Sequence, residues 1–114
     1  MIKFSIPVRL KTNNQLLRMH WAARRKYQQM IKDEIFCAVP FRCNKGAPRA
    51  KKTVNILYLT KRKQDPDNLV ASVKPLVDSL VKLELLKDDN PDCIDLYVKQ
   101  KTSKDAYQVI VEVI

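Results

Sequence analysis

The side chains best suited to chemistry are the carboxylates of Asp65, Asp67, Asp88 and Asp89 and the ammonium of Lys74. All lie in the stretch DPDNLVASVKPLVDSLVKLELLKDD between Asp65 and Asp89. Two carboxylates flank Pro66 directly after Lys61, Arg62 and Lys63, and a second acidic pair closes the stretch. Carboxylates brought together from two loops repel one another, so a shared site for them is one that holds a cation. A hard ion such as magnesium fits, because it takes oxygen ligands from one or two carboxylates and from substrate phosphates. The plainer reading is a helix start: Pro66 sets the backbone, Asp67 or Asn68 caps exposed amides, and an apolar pattern follows at once.

Helical spacing puts the candidates on one face. In a helix from Asn68 to about Leu83, Lys74 and Asp78 fall within about 20° of the azimuth of Asp67. Lys74 stands roughly 10 Å along the axis from Asp67, and Asp78 about 16 Å. The second distance is too long for a shared ion, so Asp78 is expected to orient Lys74. Asn68 and Asp88 are expected to orient the ligands from behind. Pro75 lacks an amide proton, which predicts a kink beside Lys74.

The surrounding elements follow from periodicity. Ile2 to Leu10 alternates as a strand, with Pro7 marking an edge or an end. Thr12, Asn13 and Asn14 are loop and cap residues before a helix from about Leu16 or Arg18 to Val39. Its predicted apolar stripe contains Trp21, Tyr27, Met30, Ile31, Ile35 and Val39, with Trp21 in the core. Phe41 to Lys52 reads as a mobile basic connector. TVNILYLT at 53–60 is a strand that leads through Lys61–Lys63 into Asp65. Cys93–Gln100 and Tyr107–Ile114 alternate about a short polar link and predict a hairpin. Asp89 would reach Asp65 and Asp67 if the strand from Cys93 neighbours the 53–60 strand. The predicted fold is α+β (α/β-like): one mixed sheet of about four strands with two helices packed on it, in the order β-α-β-α-β-β, as one domain over 1–114.

The charge is unevenly spread. Residues 1–64 carry 16 Lys and Arg against Asp33 and Glu34, and residues 65–114 carry 6 against 10, which gives +14 and −4 within a total of +10. A basic half beside an acidic cluster suits a nucleic-acid partner, where one part neutralises phosphates and the other binds a cation. Asn13, Asn14, Arg18, His20, Arg24, Arg25, Lys26, Lys61, Arg62 and Lys63 are the candidate DNA contacts. Cys37, Cys43 and Cys93 form no CxxC pair, and His20 is the single histidine, which argues against structural zinc. The lone glycine, Gly46, excludes a dinucleotide fingerprint and a phosphate-cradling loop, so no nucleotide cofactor is expected. Residues 65–76 also lack the central glycine and terminal glutamate of a calcium-binding EF-hand loop. The first residues, MIKFSIPVRLK, lack the apolar core of a signal peptide, and no apolar run approaches a membrane span. A cytoplasmic protein is expected.

DPDNL at 65–69, KPLVDSL at 74–80 and KDD at 87–89, in that order in a small basic chain, resemble the RusA-type Holliday junction resolvases, a family with many phage-encoded endonucleases. The likeness extends more loosely to PVRLKTNNQLLRMHWAARRK at 7–26 and to the C-terminal strands. It implies a homodimer that binds four-way DNA junctions and nicks two strands symmetrically with magnesium, for which manganese can substitute. It also implies metal-binding aspartates at Asp65, Asp67 and Asp89 and an essential lysine at Lys74. In the best-known bacterial member that lysine follows the second aspartate by four residues, where this chain has Ala71. Two other readings stay open: a basic nucleic-acid-binding module without catalysis, and a small protein-interaction domain whose acidic patch docks a basic partner.

Overall fold

Four alternating segments form one mixed sheet in a computed structural model of the chain, which describes residues 2–39 and 50–114. They are β1 (Ile2–Ile6), β2 (Lys52–Thr60), β3 (Ile94–Thr102) and β4 (Gln108–Val113), in spatial order β1-β4-β2-β3. β4 is antiparallel to both neighbours, and β2 and β3 are parallel. The helices are α1 (Asn13–Arg18), α2 (Trp21–Ala38) and α3 (Pro66–Lys82), so the class is α+β, as predicted, with one helix more than predicted. None of the described helices is long and apolar enough to cross a membrane. The connector at 40–49, with Cys43, lies outside the described residues.

One row of each strand makes the core. Phe4, Val111 and Ile56 lie side by side in register, and with Ile6, Val54, Tyr58, Val109 and Val113 they pack into one cluster with α2 and α3. α3 supplies Leu69, Val73, Leu76, Val77 and Leu80, spaced to line one helical face. Two buried tyrosines fix the chain after β1: the Tyr58 hydroxyl accepts from the Leu10 amide at 3.1 Å, and the Tyr27 hydroxyl from the Lys11 amide at 3.0 Å. Burial removes water from both phenols and raises their pKa, so they stay neutral.

Three expectations need correction. The single N-terminal helix is two, because Met19 and His20 are extended and the His20 Nδ1 accepts from the Ala22 amide, starting a new helix. The first begins at Asn13, where Thr12 and Gln15 form a reciprocal capping box. Trp21 is not core: it is 63% exposed. The buried stripe of α2 is Tyr27, Ile31 and Ile35, and Trp21, six residues before Tyr27, lies about 120° away around the helix. β3 and β4 are not a hairpin, since β2 lies between them. The link crosses the end of β2, where the Ser103 amide donates to the Thr60 carbonyl at 2.8 Å. β3 carries Asp95, Lys99 and Lys101 and takes the edge, whereas apolar β4 is paired on both sides. The β4 backbone is therefore committed within the chain, which removes strand pairing as a way for this segment to bind a second copy.

β1 does end before Pro7 and does occupy an edge. α3 continues through Pro75 to Lys82. It closes with the Glu84 amide donating to Val81 and the Leu85 amide to Leu80, which requires Glu84 at a φ of 61°. A side chain at that left-handed position costs energy that glycine avoids. Glu84→Gly is expected to raise stability by about 0.5–1 kcal/mol, read as a higher urea midpoint with an unchanged slope.

Candidate functional site

α3 presents its exposed face opposite to the Leu69–Leu80 stripe, and three of the candidate groups meet there. The Lys74 Nζ lies 3.1 Å from the Asp89 Oδ2 and 3.5 Å from the Asp78 Oδ1. The i,i+4 spacing brings Asp78 to Lys74, as the sequence predicts. Asp89 arrives from the turn before β3, which is shaped by Asp88: its carboxylate accepts from the Asp89 amide at 2.7 Å and from the Asn90 side chain at 3.2 Å. The ammonium's pKa is raised, first by the hydrogen bond to Asp89 and then by the charge of Asp78. That of Asp89 is lowered, first by Lys74 and then by its contact with Asp88. Both partners are open to water, which screens the pair and leaves it weak. A phosphate could therefore draw Lys74 away at small cost.

Asp65 and Asp67 stand at the start of the same helix. Asp65 occupies the N-cap with extended backbone, but its carboxylate makes no capping hydrogen bond. Asp67 is exposed in the first turn. Neither forms an ion pair among the described residues. The parallel register explains why Asp89 stays apart from them. β3 does neighbour β2, but Ile94 pairs with Lys52 at the start of β2, whereas Asp65 follows its end. Asp89 thus meets the middle of α3 instead. Among the described residues no three Asp, Glu, His or Cys side chains form a group that could hold a metal. The Asp65–Asp67 pair by itself suits magnesium, which accepts two carboxylates and completes its shell with water and phosphate oxygens.

A cleft of about 200 Å³ opens beside Lys74 and Asp78, and its far wall carries Asn13 of α1 and Arg24 of α2. The structure therefore gathers two predicted DNA contacts and two predicted site residues around one opening. Gln28 sets its width. Its Nε2 donates to the Pro75 carbonyl at 2.6 Å and to the Ser79 hydroxyl, tying α2 to α3. Nothing in the sequence marks Gln28 for this role, because its partners lie about fifty residues away.

The remaining candidates divide between two surfaces. Asn14, Arg18, His20, Arg25 and Lys26 are exposed on α1 and α2 near the cleft, and the first turn of α2 contains no acid. Arg62 and Lys63 line a second opening of about 230 Å³ together with Arg9 and Gln64. There the Arg9 guanidinium lies 4.8 Å from the Tyr107 ring centre and the Lys61 ammonium 5.9 Å. Arg9 is a further cation of this surface, and the outward alternation after buried Val8 is the signal in the sequence that marks it. Asn68 is half-buried and, among the described residues, makes no side-chain hydrogen bond to Asp65 or Asp67. A comparison with protein-family models finds no match for this chain, and a comparison with curated proteins finds none either.

Proposed function

We propose that this protein is a magnesium-dependent endodeoxyribonuclease acting on branched DNA, with the four-way junction as its substrate and a two-fold homodimer as its working form. The observation that carries this reading is the cleft in which Asn13 and Arg24 face Lys74 and Asp78, with the uncommitted carboxylates of Asp65 and Asp67 on the same helix. The order of DPDNL, KPLVDSL and KDD supports it, and so does the separation of basic and acidic halves.

In this reading Asp65 and Asp67 would hold the ion, which would supply a polarised phosphate and an activated water, while Asp89 keeps Lys74 in place until the phosphate arrives. Lys74 exchanges Asp89 for the scissile phosphate and stabilises the charge that develops on it. Asp78 keeps the ammonium aimed into the cleft, and Asp88 holds the turn that carries Asp89. Arg24, Arg25, Lys26 and Lys61–Lys63 grip flanking phosphates. Junction selectivity comes from shape, because a two-fold dimer matches the pseudo-symmetry of four arms.

One observation favours a second reading, a nucleic-acid-binding module without catalysis: Asp89 is paired with Lys74 rather than joined to Asp65 and Asp67. A labelled synthetic four-way junction separates the two. Paired symmetric nicks that require magnesium and stop with a chelator are expected. Tight binding without cleavage under magnesium or manganese would leave the binding module.

A further inference from the structure

The only tryptophan of the chain is placed where a core residue would not be. Trp21 is 63% exposed and Leu17, near the end of α1, 69% exposed. The indole lies 5.5 Å from the His20 ring centre, tilted by 38°, and the Arg25 guanidinium lies 6.0 Å from its own ring centre. Arg18, Arg24 and Lys26 are close in sequence and exposed. An indole open to water forgoes the burial that large aromatic rings otherwise gain. The residues around it are cationic, so the surface suits a polyanion with flat apolar groups. An acidic protein face would use the charge but leave the ring without a partner. An anionic lipid surface would accept both, but it would leave the adjoining cleft of Asn13, Arg24 and Lys74 unused, whereas a nucleic-acid strand uses ring and cleft together.

Trp21 also lies beside the candidate site. It precedes Arg24 by three residues on α2, about 4.5 Å along the axis, and Arg24 and Leu17 both line the cleft that contains Lys74. A DNA strand passing through that cleft would bring a base to the indole. In an intact duplex the base faces are covered by their neighbours, whereas at a branch, flap or single strand one can be exposed and stacked on an aromatic side chain.

We infer that Trp21 is a stacking platform for an unstacked nucleobase, and that it directs this protein to DNA with unpaired or splayed bases in preference to continuous duplex. The inference rests on the DNA-binding part of the reading above and needs neither the metal nor cleavage. Arg25 backs the ring by cation–π attraction, and the neighbouring cations hold the adjoining phosphates. Such stacking tolerates any sequence, since every base has a π-face.

The test uses the full chain without divalent metal. Because Trp21 is the single tryptophan, its emission reports the contact directly. The protein is titrated with a four-way junction, an oligothymidylate strand and an intact duplex, each fluorescein-labelled so that anisotropy measures saturation independently. Emission is expected to be strongly quenched at saturation by the junction and the single strand, and weakly by the duplex. Trp21→Ala is expected to weaken junction binding by about 10- to 100-fold, with a smaller loss on duplex. Trp21→Phe should retain most of the junction affinity, and circular dichroism should show both variants folded. Saturating junction binding with unchanged emission, or Trp21→Ala with wild-type affinity, would overturn the inference and leave the nuclease reading standing. An emission change on concentrating the protein alone would point to an interface between copies and overturn it too. Failure of anisotropy to detect any DNA binding would remove both.

Discussion

Asp67→Asn is expected to reduce magnesium-dependent junction cleavage by about 100-fold or more while leaving folding and junction binding in place. The substitution keeps the shape of the side chain and removes one negative charge. Asp67 is exposed, and among the described residues it has no ion-pair partner, so its structural loss is confined to a favourable interaction with the start of α3. That interaction contributes about 0.3–1 kcal/mol. A divalent ion loses much more when a carboxylate becomes a neutral amide, because the attraction between opposite charges is what offsets stripping water from the ion. Asp65→Asn makes a useful companion, since its carboxylate contributes no capping hydrogen bond that the change could break. The measurement is single-turnover cleavage of a labelled junction, with magnesium titrated by calorimetry into wild type and variant. Equal cleavage rates and equal magnesium heats would reduce Asp65–Asp67 to a helix start.

Leu80→Ala carries the largest expected effect on stability, about 2–5 kcal/mol. Leu80 is fully buried, and it packs in the cluster that joins α3 to the sheet. Truncation removes its apolar area from the core and leaves a cavity that helix and sheet can only partly close. Its carbonyl also receives the Leu85 amide at 3.0 Å in the turn that ends α3, so a shift of this residue disturbs the path toward Asp88 and Asp89. For a domain whose total stability is about 5–15 kcal/mol the loss is a large share. Urea denaturation should show a lower midpoint at similar slope. Val70→Ala, on the exposed side of the same helix, should change stability by less than about 0.5 kcal/mol. A small loss for Leu80→Ala would show that α3 is held by something other than this stripe.

The two expectations share one helix, and they show why one face of it was easier to read than the other. Leu69, Val73, Leu76, Val77 and Leu80 recur at helical spacing, and the same period placed Lys74 and Asp78 together on the opposite side. Local arithmetic sufficed, because partners three or four residues apart meet in any helix. Trp21 departs from its expected place in the core for the complementary reason. A large aromatic in an apolar pattern is usually buried, but the break at Met19–His20 and the azimuth of Tyr27, Ile31 and Ile35 turned it outward. The extended backbone at His20 is held by one side-chain cap, and helix-forming neighbours on both sides conceal it.

The sequence by itself determined the four strands, α3 and its inner face, and the pairing of Lys74 with Asp78, all of which depend on neighbours within a few residues, together with the basic and acidic halves. Only the tertiary structure decided what lies between distant segments. It inserted β2 between β3 and β4, because charged β3 tolerates an edge and apolar β4 does not. It carried Asp89 to Lys74 instead of to Asp65 and Asp67, because parallel pairing sets the start of β3 at the start of β2. It opened the cleft between Arg24 and Lys74, whose width depends on a Gln28 bond to Pro75 across 47 residues. Strand order and helix docking minimise exposed apolar surface over the whole chain, and that quantity has no local signature.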